Sequence, residues 1–211
     1  MNRQDLFWWA GATHADGYIY RHNGSIREIR LRVSEPSFQM LLKWQKILDV
    51  MTDKRHKIHV EQMYDPRYDR HFEQYVVRES SKPVINKIIK KFSEENINLL
   101  TFEAPSSAFG NELNTAAYLA GVIDGDGCIQ VRKSYFDGRI EKLIKITSGI
   151  REPLESIQEL MEKSNLQKGY ITDYTNHYDL WIYLNKTLLE WCKKFLCGEL
   201  SIKRKVERLK Q

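Results

Sequence analysis

The chain has 211 residues, enough for one large domain or two small ones, and its 42% hydrophobic and 11% aromatic content excludes an unstructured polymer. Lys and Arg outnumber Asp and Glu by 33 to 28, an excess that permits a nucleic-acid partner without establishing one. No hydrophobic run is long enough to span a bilayer, and Cys128, Cys192 and Cys197, with six scattered histidines, give neither a disulfide framework nor zinc-ligand spacing.

The N-terminus, MNRQDLFWWAG, enters a helical pattern directly, and no cleavable leader is expected. The expected compartment is reducing, either cytoplasm or an organellar matrix. The first apolar helix, within LFWWAGATHADGYIY (6–20), stops at Asp16 and Gly17 and passes into a strand-like segment. Residues 27–33 alternate, so that Ile29, Leu31 and Val33 face a core while Glu28, Arg30 and Arg32 face out. Ser37, following Pro36, opens an amphipathic helix over 37–48. Residues 57–63 and 72–79 read as strands joined by a polar loop containing Asp65 and Pro66, and 82–92 as a second helix. Residues 96–112, with Pro105, Ser106, Ser107 and Gly110, form the natural linker. Beyond it a second apolar helix stops at Asp126 and Gly127. Strands follow at 128–134 and 140–147, a helix from Pro153 to Lys163, strands at 169–174 and 178–184, and a helix from Thr187 to Leu196. A basic tail, SIKRKVERLK, closes the chain. The expected class is α+β, with two αββαββα halves at 1–95 and 113–211.

The halves repeat in detail. LFWWAGATHADGYIY aligns with AYLAGVIDGDGCIQV (117–131), placing Asp16 and Asp126 at matching positions, 126 − 16 = 110 residues apart. That period is too long for a solenoid and indicates duplication. Ala10, Gly11 and Ala15 on one helix, and Ala120, Gly121 and Gly125 on the other, are small enough for the backbones to touch. Such packing brings Asp16 and Asp126 together at helix C-termini, where the macrodipole disfavours carboxylates. Two carboxylates about 4 Å apart at an effective dielectric near 20 repel by roughly 4 kcal/mol. A divalent cation removes that repulsion, and hard oxygen ligands favour Mg²⁺ over zinc. Gly17 and Gly127 are expected to turn the chain sharply from helix into strand. His14 and Asp124, about 200° round the helix from the terminal carboxylates, read as structural.

LAGVIDGDG (119–127) resembles the LAGLIDADG motif of homing endonucleases, and WAGATHADG (9–17) resembles a weaker copy that departs at Trp9, Ala12, Thr13 and His14. The resemblance implies a monomer with two pseudo-symmetric halves packed through the motif helices, and a saddle of antiparallel sheets over double-stranded DNA. No obligate protein partner and no membrane are expected. It implies Mg²⁺ or Mn²⁺ bound at Asp16 and Asp126 with Ala15 and Gly125 beside them, and metal-activated hydrolysis of both DNA strands. It further implies a basic residue just before the helix that follows the fourth strand, a place held by Lys82 and Lys186. A polar residue ordering water at the end of the second strand would be Glu35, with Ser148 its nearest counterpart. On the outward strand faces, Arg30 and Arg32 are candidates for guanine and Glu28 for cytosine. Arg78, Gln130, Arg132, Lys145, Lys168, Tyr170 and Thr172 complete the expected DNA contacts. Lys203, Arg204, Lys205, Arg208 and Lys210 in the tail are candidates for flanking phosphates. An RNA-splicing maturase and a catalytically silent DNA-binding regulator are the alternatives on the same fold.

Overall fold

Asn2 starts the first helix, α1 (Arg3–Asp16), through a capping box: its side chain accepts from the Asp5 N–H at 2.7 Å while the Asp5 carboxylate accepts from the Asn2 N–H at 2.9 Å. The computed structural model describes residues 1–67, 69–134 and 138–211. After α1 come β1 (Gly17–His22), β2 (Ser25–Val33), α2 (Phe38–Thr52), β3 (His59–Asp65), β4 (Arg70–Glu79) and α3 (Lys82–Glu94). The second series is α4 (Glu112–Gly125), β5 (Gly127–Lys133), β6 (Ile140–Ser148), α5 (Glu152–Lys163), β7 (Tyr170–Asp173), β8 (Tyr178–Tyr183) and α6 (Lys186–Trp191). The strands make two four-stranded antiparallel sheets of matching order, β1-β2-β4-β3 and β5-β6-β8-β7.

The second half departs from the first at its end. Helix α6 continues through a π-helical stretch, Cys192–Leu196, and a single turn, α7 (Cys197–Glu199). The basic tail is not loose: it forms α8 (Lys203–Lys210), whose Leu209 is fully buried.

Helices α1 and α4 pack backbone to backbone. A Cβ on Gly11 would lie 2.2 Å from the Tyr118 carbonyl oxygen and 3.0 Å from the Val122 nitrogen, and one on Gly121 would lie 2.1 Å from the Trp8 oxygen and 2.6 Å from the Ala12 nitrogen. Adding 110 to Trp8 and Ala12 gives Tyr118 and Val122, so the contacts exchange under a pseudo-twofold axis between the helices. The core is continuous across that axis. Trp9 stacks on Trp44 with ring centroids 4.7 Å apart, and the Trp44 indole N–H donates to the Thr13 hydroxyl at 2.9 Å.

The expectation for Gly17 and Gly127 needs correction. Gly17 has ordinary extended dihedrals, φ −75° and ψ 157°, and neither glycine adopts a positive φ. Room is what requires them: a Cβ would fall 2.4 Å from the Thr13 oxygen at Gly17 and 2.5 Å from the Ile123 Cα at Gly127.

Gly121→Ala should therefore destabilise the fold by about 1–3 kcal/mol or more, because backbone must move to admit one methyl. Gly198→Ala, where a Cβ meets nothing within 4 Å, should be neutral or stabilising by up to about 1 kcal/mol. Urea unfolding of the two variants checks the contrast; equal small effects would mean that the helix contact is not tight.

Candidate metal centre and nucleic-acid interface

Asp16 ends α1 and Asp126 caps α4. The helix ends touch there: a Cβ built on Gly125 would lie 2.5 Å from the Ala15 Cβ and 3.5 Å from the Asp16 carboxyl carbon. The Asp16 carboxylate thus reaches across to the partner helix. Desolvation between the crowded helix ends, followed by the neighbouring Asp16 charge, pushes Asp126 up to about 7. Desolvation also raises Asp16 above the usual carboxylate range. Lys205 pulls both back. Raised acids favour the protonated fold, so for Asp126 the contribution to metal-free stability is fullest below about 3.8 and is lost as pH rises through about 7.

The C-terminus of α4 tolerates its acids because the tail neutralises it. Asp124 is fully buried and accepts from the Trp8 indole N–H at 3.0 Å, from the Ser201 N–H and hydroxyl at 2.8 Å each, and from the Ile202 N–H at 3.2 Å. Lys205 donates to the carbonyls of Ile123, of Asp124 at 2.8 Å and of Gly125 at 3.5 Å. A cation at a helix C-terminus meets the negative end of the dipole. Arg208 donates to the Ile129 carbonyl at 2.8 Å. The expectation that Lys205 reaches out to phosphates is therefore wrong, because its side chain is buried against the helix end, whereas Arg208 stays exposed.

The first half solves the same position differently. His14 stands where Asp124 stands in the second motif, and its Nδ1 lies 3.0 Å from the Tyr118 hydroxyl. Burial lowers its pKa to about 4, which keeps it neutral. The pairs Trp8–Asp124 and Tyr118–His14 exchange under the pseudo-twofold, but only one member carries a charge. Both residues are structural in their contacts.

Lys82 is the first residue of α3 and Lys186 the first of α6, each directly after the last strand of its half. Both are exposed. The dominant cationic influence on Asp16 and Asp126 is instead Lys205, which the pattern of two repeats cannot reveal because α8 has no counterpart in the first half. Glu35 lies exposed in a single turn, Glu35–Ser37, with its charge acting on Tyr75. Ser148 lines a cavity of about 400 Å³ together with His14, Ala15 and Asp126.

Cross-strand partners in a sheet share a face, which places the candidate DNA contacts. Arg30 pairs with Tyr18 on β1 and Arg78 on β4, and Arg32 with Val76. With Ile29, Leu31 and Val33 in the core, Glu28, Arg30, Arg32 and Arg78 project from the other face. On the second sheet, Gln130 pairs with Leu143, Arg132 with Glu141, and Lys145 with Cys128 and Trp181, opposite the core face of Ile129, Ile144 and Ile146. Tyr170 pairs with Trp181 and Thr172 with Asp179, on that same outer face. Lys168 differs: it precedes β7, and its ammonium lies 3.5 Å from Glu162 of α5. Tyr18 and Tyr20, stacked in parallel 6.5 Å apart, belong to the outer face as well. The alternation Gly17-Tyr18-Ile19-Tyr20 was the signal for them, whereas Trp181 and Tyr183 require the strand register.

Four of the outward cations, Arg30, Arg32, Arg132 and Lys145, are already paired with acids. Arg30 lies 3.3 Å from Glu28 and 4.2 Å above the Tyr18 ring, and Arg32 lies 2.6 Å from Glu61. Arg132 lies 3.2 Å from Glu141 and donates to the Tyr183 hydroxyl, and Lys145 lies 3.2 Å from Asp179 and over Trp181.

Among the described residues no group of three or more His, Cys, Asp or Glu could hold a metal ion. Two carboxylates remain, with the backbone oxygens that Ala15 and Gly125 can offer. That all-oxygen, ligand-poor set fits a hard cation that keeps several waters, as Mg²⁺ does. Among the described residues no helix is long and apolar enough to cross a membrane.

The LAGLIDADG-like domain family model matches residues 114–195. No curated protein matches the sequence. The fold is similar to that of the meganuclease I-AabMI bound to uncleaved DNA, at 13% identity and TM-score 0.62, covering 99% of this chain and 88% of that one. It is similar to I-DmoI in complex with DNA and Mn, at 16% identity and TM-score 0.54, covering 92% and 96%. It is also similar to full-length DUF199/WhiA from Thermatoga maritima, at 14% identity and TM-score 0.58, covering 99% of this chain and 59% of that one. Residues 114–195 thus match the LAGLIDADG-like domain, and the chain as a whole has the fold of the LAGLIDADG homing endonucleases.

Proposed function

We propose that the protein is a monomeric, divalent-metal-dependent endonuclease that cuts both strands of a long, asymmetric double-stranded DNA target. The observation that carries this reading is the pair Asp16 and Asp126, held together at touching helix ends although crowding and mutual repulsion oppose their charge. The fold alone does not carry it, since a DUF199/WhiA protein shares it. A DNA-binding protein has no need for two repelling carboxylates at its centre.

Asp16 and Asp126 would hold Mg²⁺ or Mn²⁺, with the Ala15 and Gly125 backbone oxygens beside them. When bound, the cation supplies an activated water and stabilises charge on the leaving oxygen. The remaining work belongs to the chain. The tight helix contact fixes the carboxylates relative to each other, and the two sheets orient the duplex across them. Lys82, Lys186 and Glu35 are proposed to order water or protons at the flanks of the site. Glu28, Arg30, Arg32, Arg78, Gln130, Arg132, Lys145, Tyr170 and Thr172 are proposed to read bases in the major groove, where each base pair presents a distinct pattern. Lys168, turned toward Glu162, is proposed as a further, weaker contact.

Incubation with a randomised DNA library and Mg²⁺, followed by sequencing of the cut ends, should yield one defined asymmetric site. On that site Asp16→Asn and Asp126→Asn should each reduce cleavage to background while leaving DNA affinity in Ca²⁺ intact or improved. Each should also raise the unfolding temperature of the metal-free protein, because a neutral amide relieves the repulsion. Wild-type cutting in both variants, or a loss of stability in both, would return the carboxylates to a purely structural role.

The ion pairs on the sheets generate a second expectation. Arg30→Ala should cost about 1–3 kcal/mol of binding, concentrated at one base pair. Glu61→Gln should tighten binding to all sequences while flattening preference at the position Arg32 reads, since it removes a negative charge and frees the guanidinium. Affinity measured across a full single-base substitution series checks both; an unchanged preference profile in each variant would remove these residues from the reading face.

A further inference from the structure

The two motif helices both run into an Asp-Gly pair, but among the described residues the chain places its own cation against only one of them. The last carbonyls of α4 receive the Lys205 ammonium, at 2.8 Å from Asp124 and 3.5 Å from Gly125, with Ile123 as the third partner. The end of α1 is closed by backbone alone, with the Gly17 N–H donating to the Thr13 carbonyl. Among the described residues no ammonium contact like that of Lys205 is present on α1.

The origin of the difference lies at one pair of positions. Asp124 is a buried charge in the second motif, and its place in the first is held by His14, which is neutral. A buried carboxylate needs a compensating cation. The segment Ser201–Lys205 delivers one: Ser201 and Ile202 clasp the Asp124 carboxylate, and one turn later Lys205 reaches the carbonyls. The ammonium is buried at 7% exposure, so solvent screens it weakly. It then faces the same Gly125 backbone oxygen that is offered to a metal ion.

We infer that Lys205 is a positioning residue that makes the two halves of the metal centre unequal, weakening cation binding on the Gly125 side and leaving the Ala15 side as the tighter one. This rests on the proposed metal-dependent cleavage. An ammonium and a divalent cation repel; the Lys205 charge also reaches the Asp16 carboxylate, but its contact with a backbone oxygen offered to the metal is with Gly125, at 3.5 Å. The two DNA strands, which lie on opposite sides of the pseudo-twofold, are then cut at different rates, and nicked duplex accumulates before the double-strand break.

The test compares wild type with Lys205→Met, which keeps length and apolar packing while removing the charge. Ser201→Ala is the control: it loosens the same segment from Asp124 and leaves the ammonium in place. Two readouts are taken on the DNA complex: Ca²⁺ affinity and stoichiometry by calorimetry, and cleavage of each strand separately labelled, in Mg²⁺. Lys205→Met should bind the weaker Ca²⁺ about tenfold more tightly and bring the two strand rates closer together, while Ser201→Ala keeps the wild-type ratio. Unchanged Ca²⁺ binding and strand ratio in Lys205→Met would overturn the inference. So would equal shifts in Ser201→Ala, which would assign the effect to docking of the tail. A wild type that cuts neither strand would instead overturn the proposed endonuclease function and is read separately.

Discussion

The contact on which the structure depends is that of Gly11 and Gly121, each with its missing Cβ about 2 Å from a carbonyl oxygen of the other helix. At that separation the helices cannot slide or roll without collision. Their C-termini, and the carboxylates on them, are located by backbone and not by flexible side chains. The sheets hang from the same helices, so the spacing between the two outer faces follows from the same contact. A tight helix pair thus sets both the chemistry at the centre and the reach of the flanks.

The duplication made most of this legible in the sequence. Asp-Gly at a 110-residue offset located both helix ends, and alternation in 27–33 gave the outward face of β2 before any register was known. The elements of 57–63, 72–79, 140–147 and 178–184 also fall within a few residues of their strands. What could not be read was whatever breaks the symmetry. Lys205 sits in a basic run that resembles a solvated phosphate-binding tail. Only Asp124 and the α4 carbonyls, about 80 residues away, reveal it as a buried cap. Gly17 and Gly127 were legible as glycines required at helix ends, but the reason is crowding by Thr13 and Ile123, which depends on tertiary geometry.

The opposition between charge and environment recurs at three depths. On the surface, Arg30, Arg32 and Arg132 rest against Glu28, Glu61 and Glu141. Arg132–Glu141 is the more exposed of these pairs and contributes about 0–1 kcal/mol, while the Arg30 and Arg32 pairs are half-buried and are held more firmly. At the helix ends, Asp16 and Asp126 repel each other and are only partly offset by the nearby Lys205. Deep in the protein, Asp124 is fully compensated. The strength of compensation thus rises with burial, as the falling effective dielectric requires.

That gradient separates the parts of the molecule that exchange partners from the part that does not. The surface acids pair with the arginines on the outer faces, where a duplex would compete for them. The central carboxylates are left under-neutralised, which favours a cation arriving from solution. Asp124, with four donors and Lys205 behind it, is closed to both. Because this closed site shares the Gly125 backbone with the open one, its fixed charge, felt by both central carboxylates, lies closest to the Gly125 side. A nearly symmetric duplication thereby gains a direction at its centre, independent of any difference between the two base-reading faces.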